Sequence, residues 1–268
     1  MALISTALAV RSMSSVRSIT TRTQVLVLIQ EIISLIASRV VCKAIAFKSL
    51  LNRKVVIYVK QSLSQKESLG KSALKYAESI HLAADYLQSR GITKEAALQA
   101  RLGVVSIPDT GHEQYQGRLS IPYITKTGVV DLRFRALDPS VEPKYMGMTG
   151  AETKMYNVLD IEKAGNWIGI CEGELDTLTL SALVGIPCIG VPGANSWKKH
   201  YTRLLADFER VFIFADGDEP GREFARSLAK ELPATIVTME DGEDVNSCFV
   251  KYGADYIKDK IGLNNYED

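Results

Sequence analysis

Paired cysteines and clustered histidines are missing from this chain of 268 residues. Its four cysteines and three histidines lie far apart, and no C-x-x-C spacing occurs. The sequence therefore shows neither a zinc ribbon nor a disulfide framework. A metal site built from cysteine and histidine is not predicted either, because its ligands would have to come from scattered single residues.

Long apolar runs are also missing. Residues 25–36 are mostly apolar but are interrupted by Gln30 and Glu31, and a membrane span needs about 20 consecutive apolar residues. Gly70-Lys71-Ser72 resembles the end of a nucleotide-binding P-loop, but Gln65 stands where that motif needs a glycine. With 46% hydrophobic and 24% charged residues, the composition is that of a soluble globular protein.

Acidic residues are almost missing from residues 1–66, which hold ten basic residues and only Glu31 on the acidic side. This segment carries +9 and the remainder about −8, although the whole chain is at +1. A basic arm of this kind favours contact with polyanions. Residues 1–24, rich in Ser, Thr and Arg, resemble an organellar targeting peptide, but we favour a poorly ordered or loosely helical extension. A third alternative is that the sequence starts upstream of the functional start.

The middle of the chain changes from helical to strand periodicity. Apolar spacing predicts helices over 72–89 and 94–101, and then a β-hairpin of strands 119–123 and 129–135 around Thr127-Gly128. The second strand places two arginines, Arg133 and Arg135, on one face, and Lys144 follows soon after; side chains of this kind can bind phosphates. The alternative is a strand face that is simply solvated.

After Gly165 apolar strands alternate with helices, which predicts a parallel sheet with right-handed crossovers. The predicted strands are 167–171, 186–191, 211–214 and 235–239. The fold class is therefore α/β, with a Rossmann-like parallel sheet preceded by a smaller basic α+β subdomain. We predict a basic extension over 1–66, a subdomain over 67–165 and a sheet domain over 166–268.

Acidic residues follow three of these strands. Glu172 follows the first, Asp216 and Asp218 the third, and Asp244 the fourth, while Asp176 lies about one helical turn after Glu172. The carboxyl ends of parallel strands share one edge, where ligands bind. Crowded carboxylates with no histidine or cysteine partner predict Mg²⁺ or Mn²⁺ and hence phosphoryl or nucleotidyl transfer or phosphodiester cleavage. Taken singly, each acidic fragment is equally a turn or a solvated helix start.

These motifs together resemble a known family. Glu172-Gly-Glu-Leu-Asp176 and Asp216-Gly-Asp218-Glu-Pro-Gly221 resemble the Toprim signature of topoisomerases and primases. The motifs before them resemble bacterial DnaG-type primases: Arg118-Leu-Ser-Ile-Pro-Tyr123, Leu132-Arg-Phe-Arg135 and Pro143-Lys-Tyr145. The flanking motifs are most similar to the primase half of phage primase–helicases: Arg90-Gly-Ile-Thr-Lys94 and Asp244-Val-Asn246. The resemblance covers roughly residues 70–260.

The resemblance implies a DNA primase core that makes short RNA primers on single-stranded DNA from ribonucleoside triphosphates. Glu172 would act as general acid/base on the attacking 3′-hydroxyl, with Asp176 supporting catalysis. The implied metal ligands, for Mg²⁺ or Mn²⁺, are Glu172, Asp216, Asp218 and Asp244. The implied residues for binding nucleic acid or nucleotide are Arg118, Arg133, Arg135, Lys144, Lys198, Lys199 and Asn246.

Two parts of such primases have no pattern here, the zinc domain that reads the template and the helicase motor. We therefore expect a separate zinc-domain chain and a replicative helicase as partners, no membrane, and a cytoplasmic location in a bacterial or phage-infected cell. Two alternatives remain open. One is a Toprim nuclease or another phosphodiester enzyme, and the other is a non-catalytic module that binds nucleic acid in a replisome.

Overall fold

The computed structural model describes residues 63–193 and 196–263. The predictions of a basic extension or a targeting signal before residue 63 lie outside this part of the chain. Residues from Gln61 onward form one compact unit, which contains a four-stranded antiparallel sheet followed by a four-stranded parallel sheet. The predicted α/β class is thereby confirmed.

The first part of this unit holds three helices and the antiparallel sheet. The helices are α1 (Leu63–Ala77), α2 (Ala84–Ser89) and α3 (Lys94–Gln99). The strands, which pair in chain order, are β1 (Gly103–Val104), β2 (Leu119–Thr125), β3 (Gly128–Arg135) and β4 (Tyr145–Gly147). The predicted hairpin is confirmed, with Thr125 opposite Gly128 at its end.

The single helix predicted over 72–89 is wrong, because the chain turns after Ala77 and runs through a 3₁₀ turn, Ile80–Ala83, before α2. The turn follows from packing: α1 contributes to the core under β3, whereas Ala83 and Leu87 belong to a different core around β1 and β2. A straight helix could not reach both cores. The backbone of Gly103 in β1 also approaches α1 so closely that a Cβ there would lie 2.2 Å from the carbonyl carbon of Tyr76.

The second part holds the parallel sheet and its covering helices. Its strands are β5 (Trp167–Cys171), β6 (Cys188–Gly190), β7 (Arg210–Ala215) and β8 (Thr235–Thr238), in the spatial order β6-β5-β7-β8. Its helices are α4 (Asp160–Lys163), α5 (Glu174–Leu178), α6 (Lys199–Leu204), α7 (Glu219–Leu228), α8 (Val245–Tyr252) and α9 (Ala254–Lys260). The predicted parallel sheet is confirmed.

Helices cover both faces of this sheet, as the nearly unbroken apolar character of its central strands requires. One core joins the strands to α6 and α7, and the other joins them to α8, α9 and a π-helical turn, Thr179–Val184, which continues α5. The sequence did not predict α8, α9, β1 or β4, which are short or weakly periodic. None of the described helices is long and apolar enough to cross a membrane.

The short helix α5 lies where the two sheets meet. Its Leu175 and Leu178 pack in the same core as Ile121 and Tyr123 of β2. The antiparallel sheet therefore fixes the position of a helix that carries acidic residues of the other sheet. The boundary between predicted subdomains 67–165 and 166–268 stays a prediction.

Candidate active site

The predicted acids lie at one edge of the parallel sheet. Glu172 directly follows β5 and Asp216 directly follows β7, two strands that pair side by side. Asp244 follows β8, which pairs with the other side of β7. Because all three strands run in the same direction, these residues leave the sheet at the same end.

Asp216 lies at the centre of the electrostatic repulsion at this edge. Burial raises the pKa of its carboxyl to about 8, and the negative charges of the other acids reinforce the effect. The acids that contribute, in decreasing order, are Asp176, Asp244, Glu172 and Asp218. The five predicted acids therefore form one electrostatic group although they come from separate loops.

Two further acids of the group are perturbed in the same direction. Burial raises the pKa of Asp176, and the charge of Asp244 adds to it, whereas the backbone N–H of Asn246 and the charge of Arg90 act in the opposite direction. The pKa of Glu172 is raised by burial and then by Asp218. A carboxyl held in this way binds a proton or a cation more readily than a free one.

Two glycines allow the loops to come this close. A Cβ on Gly173 would lie 2.3 Å from Oδ2 of Asp176. A Cβ on Gly217 would lie 1.7 Å from the carbonyl oxygen of Glu240. The N–H of Gly217 also donates to the carbonyl of Glu243 at 2.8 Å, so the loop after β7 is bonded to the loop after β8.

Asp218 and Asp244 also have a structural role, because each is the N-cap of a helix. Asp218 Oδ1 accepts from the N–H of Gly221 at 2.8 Å at the start of α7. Asp244 Oδ1 accepts from the N–H of Ser247 at 2.6 Å, and the Ser247 hydroxyl accepts from the Asp244 N–H in return, which completes a capping box. Each cap occupies one carboxylate oxygen and leaves the other for a second partner.

The chemistry of these donors fits a hard divalent cation. They are carboxylates only, they repel one another, and Mg²⁺ and Mn²⁺ are bound by such oxygens. Within residues 63–193 and 196–263, however, no three side chains of His, Cys, Asp or Glu are close enough to enclose an ion. The edge therefore suits an ion held by one or two carboxylates, with water and phosphate oxygens as its other ligands.

Asn246, predicted to bind nucleotide, occupies an internal position. Its side chain is 1% exposed, and its amide nitrogen donates to the carbonyl of Arg90 at 2.8 Å and to Thr179 Oγ1 at 2.9 Å. Its backbone N–H donates to Asp176 Oδ1 at 3.0 Å. In this structure Asn246 positions the acid group, and its role in nucleotide binding stays a prediction.

Arg133 shares one face of β3 with Arg135, as predicted, but this face is turned towards α5. Arg133 Nη1 lies 3.0 Å from Oε1 of Glu174, which is buried. The Tyr123 hydroxyl donates to the same oxygen at 2.7 Å. The guanidinium therefore neutralises an internal carboxylate, and the solvated face that was the alternative reading does not apply to it.

Arg135 lies in an aromatic enclosure beside the acids. Its guanidinium stacks over the rings of Tyr86 and Tyr145, at 5.5 and 4.9 Å from their centroids, and donates to the Tyr145 hydroxyl. Burial and the charge of Glu174 raise the pKa of Tyr145. Burial raises the pKa of Tyr86, whereas the charges of Arg135 and Arg90 and their hydrogen bonds to its hydroxyl act in the opposite direction.

The remaining predicted basic residues are spread over different environments. Arg118 is buried and donates to the carbonyl of Pro143 at 2.7 Å. Lys198 pairs with Glu152 at 2.7 Å, whereas Lys144 and Lys199 are exposed. Their roles in binding stay predictions.

Sequence reasoning assigned no role to four of these residues, Tyr86, Arg90, Tyr123 and Glu174. All except Tyr86 lie inside motifs on which the family resemblance depends. The motifs could therefore have marked Arg90, Tyr123 and Glu174 as functional candidates. The partner of each side chain becomes visible only in the structure, where the two sheets are in contact.

The comparisons with known proteins agree with this fold. Residues 167–255 match the family model of the Toprim domain. The RNA polymerase domain of Mycobacterium tuberculosis primase DnaG superimposes with a TM-score of 0.62 at 22% identity, over 75% of this chain and 83% of that one. Fold and acidic edge together define a Toprim-containing protein with the fold of a primase catalytic core.

Two relatives match by sequence. The Gene 57 protein of Mycobacterium phage D29 is 44% identical in an alignment of length 153, which covers 55% of this chain and 99% of that protein. The chain therefore belongs to the family of this phage protein. A DNA primase of Legionella pneumophila is 26% identical in a gapped alignment of length 208, which covers 63% of this chain and only 35% of that primase's length.

Proposed function

We propose that this chain is the polymerase core of a DNA primase, which makes short RNA primers on single-stranded DNA by metal-dependent nucleotidyl transfer. The observation that carries the proposal is the group of mutually repelling carboxylates at the ends of β5, β7 and β8. It lies in a Toprim domain with the fold of primase catalytic cores. Such a group is stable in a functional site chiefly when a cation neutralises it.

Within this proposal the acids have distinct roles. Asp216, Asp218 and Asp244 would hold Mg²⁺ or Mn²⁺, with one or two of these carboxylates on each ion and water or phosphate oxygens as the other ligands. Asp176 supports them from α5. Glu172 accepts the proton of the attacking 3′-hydroxyl, for which its raised pKa is suited, and its carboxylate would also serve as a metal ligand. A bound ion supplies charge for the triphosphate oxygens and the attacking oxygen.

The basic residues bind the substrates. Arg135, whose guanidinium stacks on Tyr86 and Tyr145 and is influenced by the charge of Asp176, is suited to a phosphate next to the acid group. The exposed Lys144 and Lys199 contribute non-specific attraction to the template backbone. Arg133 has a structural role in this proposal, because its guanidinium is paired with the buried carboxylate of Glu174.

A separate zinc-domain chain and a replicative helicase complete the activity. This part of the proposal is supported by solved structures of similar fold, which include a primase with zinc-binding and RNA polymerase domains and the primase fragment of a phage primase-helicase. The zinc-domain chain would select the initiation site, and the helicase would supply single-stranded template.

The experiment is primer synthesis by the purified full chain with single-stranded DNA, labelled ribonucleotides and Mg²⁺ or Mn²⁺, alone and with a zinc-domain chain and helicase added. We expect short labelled oligomers that depend on template and metal. Glu172→Gln should abolish them. Asp241→Asn, an exposed acid in the loop after β8, is the matched control and should remain active.

Other outcomes identify the rival functions. Cleavage of labelled DNA without nucleotide incorporation, lost in Glu172→Gln, would replace the primase with a Toprim nuclease. Binding of single-stranded DNA with neither reaction, under all conditions, would favour a non-catalytic replisome module.

A further inference from the structure

Arg90 contacts the acid group from a different part of the fold. It follows α2, and its Nη1 lies 3.7 Å from Oδ2 of Asp244, where both side chains are about one third exposed. The same nitrogen donates to Oδ1 of Asn246 at 3.3 Å. The carbonyl of Arg90 accepts from Nδ2 of Asn246 at 2.8 Å, so backbone and side chain bind the same turn.

The two carboxylate oxygens of Asp244 have different partners. Its Oδ1 caps α8 by accepting from the N–H of Ser247 at 2.6 Å. Its Oδ2 is the oxygen beside Arg90. Oδ2, which does not take part in the cap, is the more accessible oxygen for a cation, and a cation that binds there shares it with the guanidinium or displaces the guanidinium.

The position of Arg90 is fixed by packing. The next residue, Gly91, has φ +63, and a Cβ there would lie 3.2 Å from the ring of Phe249 and 3.3 Å from Val250 in α8. The turn after α2 therefore packs against α8, the helix that Asp244 caps. Asn246 of the same helix also contacts a second acid, because its backbone N–H donates to Oδ1 of Asp176 at 3.0 Å.

We infer that Arg90 is a positioning residue of the acid group, the counterion that pairs with Oδ2 of Asp244 until a divalent cation takes its place. This inference rests on the proposed metal-dependent function and assigns one of its regulating residues. Arg90 then has two measurable effects. It stabilises the metal-free protein, and it weakens the binding of a divalent cation, because the two positive charges compete for one carboxylate.

The test measures Mn²⁺ binding to the metal-free full chain by electron paramagnetic resonance of the free ion, together with thermal unfolding in chelator. We expect Arg90→Gln to bind Mn²⁺ about fivefold more tightly and to unfold at a lower temperature without metal. Arg90→Lys, which keeps the charge, should bind within about twofold of the unmodified chain. Lys94→Gln removes an exposed charge in the next helix and is the matched control, expected to leave both quantities unchanged.

A residue with a merely structural role would lower both stability and affinity. Folded Arg90→Gln that binds Mn²⁺ equally or more weakly would therefore overturn the inference, while the proposed function would stand if the unmodified chain binds the ion. An unmodified chain that binds no Mn²⁺ would overturn both.

A second measurement needs no substitution at Arg90, should Arg90→Gln fail to fold. Titration of the unmodified chain with Mg²⁺ should shift the side-chain Nε resonance of Arg90 in nuclear magnetic resonance spectra, because the ion pair with Asp244 is released. Binding of Mg²⁺ without a change of that resonance would contradict the inference.

Discussion

Replacing Asp216 with asparagine should make the metal-free protein more stable. The carboxyl has a pKa of about 8 in the fold and an ordinary pKa near 3.9 in an unfolded chain. At pH 7 the unfolded chain has lost this proton and the folded chain still holds it. The ordinary pKa lies about three units below pH 7, and each pKa unit corresponds to about 1.4 kcal/mol of free energy. For a fully buried group, keeping the proton in the fold at pH 7 would therefore cost about 4 kcal/mol of stability.

Asp216 is only partly buried, so solvent screening reduces this figure, and we expect a gain of about 2 kcal/mol for Asp216→Asn. For a folded unit of this size the gain corresponds to an increase of about 4–8 °C in melting temperature. Asparagine keeps the shape of the side chain and removes its charge. The substitution should therefore relieve repulsion from the neighbouring acids without opening a cavity.

The sign of the pH dependence follows from the raised pKa. Between about pH 4 and pH 8 the folded state holds a proton that the unfolded state releases, so the stability of the unmodified protein falls as pH rises. Asp216→Asn lacks this contribution, and its advantage should be largest at pH 8 and small near pH 4.

Thermal unfolding in chelator at pH 4, 6 and 8, followed by circular dichroism, measures the difference. Asp241→Asn is the matched control, since that carboxylate is fully exposed in the loop after β8 and should shift the midpoint little. An Asp216→Asn protein that is no more stable than the unmodified one at pH 8, or equally stabilised at pH 4, would refute the account of crowded carboxylates.

Two further predictions concern the basic residues. Glu174→Ala should destabilise the fold by about 3 kcal/mol in urea unfolding, because it leaves the Arg133 charge half-buried without its partner. Glu162→Ala, which removes an exposed pair with Lys126, should change the free energy of unfolding by less than about 1 kcal/mol. Equal effects of the two would contradict the internal role of Glu174. Lys144→Ala should weaken binding of single-stranded DNA and reduce its salt dependence by about one phosphate contact, with unchanged unfolding. An unaltered salt slope would remove Lys144 from the template path.

The sequence predicted the parallel sheet and its acidic edge because both are local signals. Apolar strands followed directly by Glu172 or Asp216 need only the rule that parallel strands end together. The helix break after Ala77 was not predictable in this way, since it depends on two cores that form only when the sheets are in place.

The environments of the basic residues could not be predicted from the sequence either. Arg133 and Arg135 were correctly placed on one face of β3, but the buried partner of Arg133 is Glu174 of α5, about 40 residues later in the chain. Asn246 was expected to bind nucleic acid or nucleotide, yet its amide nitrogen donates to the carbonyl of Arg90 and to Thr179 Oγ1. Contacts between distant segments, rather than local patterns, decide which charge faces a ligand.

The most direct test of the proposed metal-dependent function is the anomalous scattering of Mn²⁺ in crystals of the full chain soaked with the ion and a ribonucleoside triphosphate. We predict an anomalous peak at the sheet edge within about 2.3 Å of at least one carboxylate oxygen of Asp216, Asp218 or Asp244, with triphosphate oxygens completing its shell. Triphosphate bound elsewhere, and no peak between acids that point away from each other, would contradict it.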